Sequence, residues 1–232
     1  MMYNSKDIWT RFWHKESCLP ILDKNHPGYN LLYGGTNIEP LASMGMSCFL
    51  EPCIDSFSEG FSILDYGCGA GILSNFLSMR LEKFRYVGLE PKTKHGVERL
   101  GIAKRMLNDE RVEFDFISNQ KIETLRKQHF DCIVLISVFT HLTIEEIYVI
   151  LDNLKDFLNS GAKIVFSCFI RDEYKLVKPQ RNINNNFYNF SFLTENQLLS
   201  YANANNLFLK KECDFLALGS NLHNIYSLSL KE

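Results

Sequence analysis

A chain of 232 residues has room for one α/β domain with a modest N-terminal extension, and two full domains would be cramped. Its 46% hydrophobic and 22% charged residues exclude a disordered chain. With 25 Lys+Arg against 27 Asp+Glu the formal net charge is −2, so there is no global positive field to draw phosphate backbones, and nucleic acid is not an expected partner.

Residues 1–60 hold no sustained period. They contain Trp9, Phe12 and Trp13, a turn-rich stretch over 26–36, and a helix expected over 44–57. They read as a helical extension or lid ahead of a domain that starts at residue 61. From there strand-length apolar runs alternate with segments of helical period. Strands are predicted at 61–65, 84–89, 112–116, 131–136, 162–169, 207–214 and 224–230, and helices at 70–80, 93–107, 121–127, 143–158 and 194–205. Thr143 with Glu146, and Thr194 with Gln197, each place a hydroxyl at an N-cap and an acid or amide three residues on, the signature of a capping box. Parallel strands need crossovers of a dozen or more residues, and this spacing supplies them, so a doubly wound, mostly parallel seven-stranded sheet is expected. The last two predicted strands follow each other closely and read as an antiparallel hairpin at the sheet edge. Residues 171–193, rich in Asn and aromatics, break the rhythm and read as a long lid or binding loop, or else as a disordered segment.

The seven cysteines are odd in number, no pair has C-x-x-C spacing, and several lie in apolar runs. They are expected to be reduced, with no metal site. The segment Met1–Asp7 has no apolar core, and the apolar runs fall short of the ~20 residues that span a bilayer, so a cytoplasmic protein without membrane attachment is expected. The basic stretch over 80–105 reads as a solvated helix face.

In an open α/β sheet, ligands bind beyond the carboxyl ends of the strands, and the first strand-to-helix turn reads Asp65-Tyr66-Gly67-Cys68-Gly69-Ala70-Gly71. Three alternate glycines let the backbone bend sharply and approach a ligand closely. A dinucleotide fingerprint would place its third glycine at position 72, which is Ile72. A carboxylate ahead of the glycines repels a pyrophosphate and favours a cationic amine or sulfonium.

On these residues the chain resembles class I S-adenosylmethionine-dependent methyltransferases of the small-molecule, type 11/12-like branch, whose glycine loop reads acid-x-G-x-G-x-G. Two further stretches carry the resemblance: Tyr86-Val87-Gly88-Leu89-Glu90, and Phe130 to Leu142, including Ser137-Val138-Phe139-Thr140-His141-Leu142. The resemblance implies a Rossmann-like methyltransferase fold and S-adenosyl-L-methionine as cofactor. It implies donor contacts from Asp65, Gly67, Cys68, Gly69, Gly71, Glu90, Pro91 and Ser137, with Glu90 on the ribose hydroxyls. The family's usual Asp after the third strand is absent, and Ser118 and Asn119 stand in that turn as adenine-edge candidates.

Methyl transfer is an in-line displacement, so the protein mainly aligns the acceptor and excludes water. His141, in the loop after the fourth strand, is the candidate general base, and shaping that loop is its alternative role. Tyr33, Tyr174 and Tyr188 are candidates for an aromatic wall around the acceptor, and core packing is their alternative. Pro52-Cys53 precedes the glycine loop and is no catalytic pair of the cytosine-C5 type, and no Asn-Pro-Pro-Tyr motif follows the fourth strand. The expected acceptor is a small molecule, methylated at a hydroxyl of a sugar or natural-product intermediate. A protein or RNA methyltransferase and a non-catalytic binding module are the alternatives.

Overall fold

Alternating apolar residues on short strands, separated by amphipathic helices, give both faces of a sheet something to bury. The computed structural model describes residues 60–177, 190–216 and 222–231, and the proposed helix over 44–57, Tyr33 and Tyr188 lie outside them. Five parallel strands form the centre: β1 (Phe61–Tyr66), β2 (Phe84–Glu90), β3 (Val112–Phe116), β4 (Cys132–Leu135) and β5 (Lys163–Ile170). They lie in the order β3-β2-β1-β4-β5. Two long strands close the far edge, β8 (Leu207–Leu216) and β9 (Leu222–Leu230), with β9 antiparallel to both β5 and β8. All seven predicted strands are present.

Two further strands appear where the sequence suggested only a loop. β6 (Lys175–Val177) pairs antiparallel with β7 (Phe190–Leu193), and β7 runs parallel to the carboxyl end of β5 through Phe169–Phe192 and Ile170–Leu193. The described sheet therefore has nine strands. This small ribbon stands at the carboxyl end of the sheet, where ligands bind in such folds.

Helices α1 (Ile72–Arg80) and α2 (Lys94–Met106) cover one face, where Leu73, Leu77, Leu100 and Ala103 pack with Ile63, Tyr86, Val134 and Val165. Helices α3 (Asn119–Leu125), α4 (Ile144–Lys155) and α5 (Glu195–Ala204) cover the other, against Leu64, Val87, Ile133, Leu135 and Phe166. Successive strand residues thus serve opposite cores, which is why β1, β2, β4 and β5 are apolar almost throughout. Both predicted capping boxes form: Glu146 and Gln197 N–H donate to the Thr143 and Thr194 hydroxyls, and the Thr143 and Thr194 N–H groups donate back to Glu146 and Gln197. α4 then buries Ile147, Leu151 and Leu154 completely, and truncating either leucine to Ala would cost about 2–5 kcal/mol.

β1 has β2 on one side and β4 on the other, with the chain crossing in opposite directions, so the switch point lies between β1 and β4. The glycine turn after β1 and the loop after β4 both open there. Among the described residues no helix is long and apolar enough to cross a membrane.

Candidate functional site

The turn from β1 into α1 is built by glycine geometry. Gly67, Gly69 and Gly71 have φ of +87°, +57° and +76°, a region where a Cβ is disfavoured. The turn is pinned to its neighbour strand, since the N–H groups of Gly67 and Cys68 both donate to the Leu89 carbonyl, at 2.7 and 3.0 Å. The three glycines differ in what surrounds them. A Cβ on Gly67 would lie 2.6 Å from Val138 Cγ2, and one on Gly71 would lie 2.9 Å from the Phe114 ring. A Cβ on Gly69 would meet nothing within 4 Å, so Gly69 borders open space.

Two buried carboxylates flank this turn, Asp65 at 4% exposure and Glu90 at 2%. Glu90 ends β2. Its Oε2 accepts the Gly69 N–H at 3.0 Å and its Oε1 accepts from Arg99 of α2 at 2.8 Å. Asp65 has a different partner, the Tyr86 hydroxyl, which donates to its Oδ2 at 2.5 Å. Burial raises the Asp65 pKa to about 7; the Tyr86 hydrogen bond acts against the rise and the Glu90 charge adds to it. Cys68 is buried, and burial with the two nearby carboxylates holds its thiol well above the ordinary range, so it is a neutral, inert group.

The loop after β4 contains the second backbone irregularity. Ser137 adopts φ +58°, uncommon for a residue with a Cβ. Its N–H donates to Ser167 Oγ of β5 at 2.7 Å, and its carbonyl accepts from Thr140 Oγ1 at 2.9 Å. Ser167 and Thr140 are themselves buried, so the αL turn is fixed by two interior hydroxyls. Residues Phe139–His141 follow as one 3₁₀ turn, which places the His141 backbone at the carboxyl end of the sheet.

The structure brings Asp65, Gly67, Cys68, Gly69, Gly71, Glu90 and Ser137 to the same end of neighbouring strands. Pro91, directly after Glu90, is exposed. Ser118 caps α3, its Oγ accepting the Lys121 N–H at 3.1 Å, and Asn119 is the exposed first residue of that helix. The Ile117 N–H donates to the Glu90 carbonyl at 3.0 Å, so this turn sits beside the end of β2. Tyr174, 37% exposed, precedes β6. Sequence reasoning missed Tyr86, Arg99 and Ser167. The solvated face expected over 80–105 also holds only in part: Arg99 pairs with buried Glu90, and Arg85 bonds Gln128 and lies over the Phe130 ring at 5.3 Å. No cluster of metal-ligating side chains occurs among the described residues.

An α/β sheet with a bare glycine turn at its switch point and a buried acid on either side of that turn is the layout of the methyltransferase class of folds. The comparisons agree. A methyltransferase-domain family profile matches residues 41–209, and the chain belongs to that family. A curated relative from Alkaliphilus oremlandii (strain OhILAs), an uncharacterized methyltransferase, is 29% identical over 114 residues, 48% of this chain and 48% of the relative. The chain thus spans about half the length of the curated relative it matches. Among solved structures it is similar to the magnesium protoporphyrin IX methyltransferase ChlM from Synechocystis PCC 6803 with bound S-adenosylhomocysteine. That match has a TM-score of 0.60 and 13% identity, and covers 98% of this chain and 94% of that one. It is also similar to the glycopeptide N-methyltransferase MtfA complexed with S-adenosyl-L-methionine, with a TM-score of 0.58 and 12% identity over 81% of this chain and 94% of that one. The fold is that of class I S-adenosylmethionine-dependent methyltransferases, and S-adenosylmethionine is the methyl donor of the class.

Proposed function

We propose that the protein transfers a methyl group from S-adenosylmethionine to a small-molecule acceptor, at a hydroxyl of a sugar or natural-product intermediate. The observation that carries the donor half is the pair of buried carboxylates astride a turn whose middle glycine borders open space. Their chemistry fits the donor, because among the described residues Asp65 has no cationic partner and suits the donor's ammonium group, while Glu90 can accept from two ribose hydroxyls. The Ser118 hydroxyl keeps its proton to donate while its oxygen caps α3, and Asn119 offers both donor and acceptor, so this turn suits the adenine edge.

When bound, the donor supplies an electrophilic methyl group on a sulfonium. The chain's own part is to hold the donor by Asp65 and Glu90, to keep the loop after β4 fixed through Ser137, and to exclude water. In this reading His141, in the turn that follows β4, removes the acceptor proton, and the exposed Tyr174 ahead of β6 lines the acceptor side. The net charge of −2 supports a small acceptor over a nucleic acid.

Incubation with methyl-labelled donor and extracts of low-mass metabolites, proteins and RNA tests the proposal. Label is expected in low-mass, hydroxyl-derived products. Label confined to macromolecules, or donor binding with no transfer to any fraction, overturns it.

A further inference from the structure

The two carboxylates have opposite kinds of partner. Glu90 is held by a guanidinium and a backbone N–H, so the group around it is close to neutral overall. Asp65 is held by a phenol, which stabilises a carboxylate without cancelling its charge. A neutralised acid suits neutral hydroxyls, and an uncancelled one suits a cation. We propose that Tyr86 is a positioning residue for the methyl donor: its hydroxyl fixes one oxygen of Asp65 and favours the anionic form of that carboxylate, the form that meets the donor's ammonium group.

The strand register makes the contact possible. Tyr86 pairs with Ile63 and Gly88 with Asp65, so Tyr86 and Asp65 are diagonal neighbours on one face of the β1–β2 ladder. The residue directly opposite Asp65 is a glycine. A Cβ on Gly88 would lie 2.9 Å from Tyr86 Cε1, 2.8 Å from Phe114 Cδ1 and 3.0 Å from Cys68 Sγ, so only the bare position lets the Tyr86 ring lie along the ladder. Phe114 fixes the ring from the side, edge to face at 5.8 Å. Tyr86 is fully buried, and its own hydroxyl stays protonated because burial and the Asp65 charge both hold its pKa well above the ordinary value.

Among the described residues, the ionisable groups acting on Asp65 are Tyr86 and Glu90 from β2 and Cys68 from the glycine turn, and Arg99 of α2 acts on the neighbouring Cys68. Arg99 is the one cation among these described residues, and it forms its ion pair with Glu90. With its pKa raised to about 7, Asp65 carries a proton part of the time at neutral pH. A bound ammonium group displaces that proton, and the Tyr86 hydrogen bond lowers the cost of doing so.

This inference rests on the assignment of Asp65 to the donor's amino group, and the test separates the two. Calorimetry of S-adenosylhomocysteine binding from pH 6 to pH 9 compares the native protein with Tyr86→Phe and Asp65→Asn. For Tyr86→Phe the affinity is expected to fall about five- to tenfold at pH 7, as removal of the hydrogen bond pushes the Asp65 pKa further up, and to approach the native value above pH 8.5. Comparing proteins at each pH cancels the titration of the ligand. Binding of 5′-methylthioadenosine, which lacks the amino-acid portion, is expected to be unchanged. A pH-independent loss, no loss, or an equal loss for methylthioadenosine overturns the role of Tyr86. Unchanged homocysteine-conjugate binding in Asp65→Asn instead overturns the Asp65 assignment itself. Should Tyr86→Phe not fold, proton release in the native protein decides: about half a proton is expected at pH 7 and none in Asp65→Asn, and no difference between the two overturns the proposal.

Discussion

The backbone N–H of Gly69 donates to Glu90 Oε2 at 3.0 Å, joining the glycine turn to the end of β2 across 21 residues of sequence. Through this bond the carboxylate proposed to hold the ribose also sets the shape of the turn. Glu90→Ala is therefore expected to weaken S-adenosylhomocysteine binding by about 1–3 kcal/mol, the worth of hydrogen bonds to a charged group, as read by calorimetry. Arg99→Leu acts on the same acid from α2. It leaves Glu90 buried without its cation, and with Arg99 at 23% side-chain exposure the loss in urea unfolding is expected to be about 1–3 kcal/mol, below that of a fully buried pair. Arg99→Lys is expected to restore part of it, and equal stability of Arg99→Leu and the native protein would refute the coupling.

Gly67 is expected to be intolerant for two separable reasons. Its φ of +87° strains any residue with a Cβ, and that Cβ would sit 2.6 Å from Val138 Cγ2. Gly67→Ala should cost about 2–4 kcal/mol of stability, the sum of backbone strain and overpacking. In Gly67→Ala with Val138→Ala the steric part is removed and the strain of about 1 kcal/mol remains, so the double variant should be less destabilised than simple addition of the two single effects. Additive denaturation free energies would show that Val138 is not the obstacle.

How much of this could be read from the chain depends on how local each signal is. Asp65 and the three glycines are legible because a turn's chemistry is written in consecutive residues, Glu90 because it ends a strand-length apolar run, and both capping boxes because their partners lie three residues apart. The β6–β7 ribbon is not, because its strands are three and four residues long, too short for a period to emerge, and their pairing is with each other and with the end of β5. Tyr86 looks like any aromatic on an apolar strand, since its contact with Asp65 exists only through the register of β1 on β2 and the bare Gly88. Arg99 reads as surface charge because its partner lies nine residues back, across the β2–α2 turn. Ser137 carries no mark of its positive φ, which Ser167 enforces from another strand.

That enforcement can be measured. Ser167→Ala removes the acceptor of the Ser137 N–H inside the core and should destabilise the fold by about 1–3 kcal/mol. Ser137→Gly relaxes the αL strain while keeping the N–H, and should be neutral or stabilising by up to about 1 kcal/mol. If the turn serves to hold the acceptor side of the site, Ser167→Ala is expected to lower kcat with little change in donor affinity. Chemical denaturation and donor calorimetry on the same samples check both.

Asp65 should make stability depend on pH in the direction opposite to an ordinary salt-bridged acid. Its folded pKa of about 7 lies above the unfolded value of 3.8, so between these values the folded state binds more protons than the unfolded one. The stability linked to this proton is therefore fully present below pH 3.8, declines as pH rises towards 7 and is gone above it, where burying the carboxylate as an anion costs a few kcal/mol. Asp65→Asn keeps the shape and removes the charge, so at pH 8 the unliganded variant is expected to be more stable than the native protein by about 2–3 kcal/mol, with the difference shrinking towards pH 5. The same variant should bind S-adenosylhomocysteine more weakly, since the charge that burdens the empty fold is the one proposed to meet the ammonium group. Urea unfolding at pH 5, 6.5 and 8 reads the first effect and calorimetry at pH 8 the second. A variant that is less stable than the native protein at pH 8 would show that Asp65 is not held there as a buried, uncompensated anion.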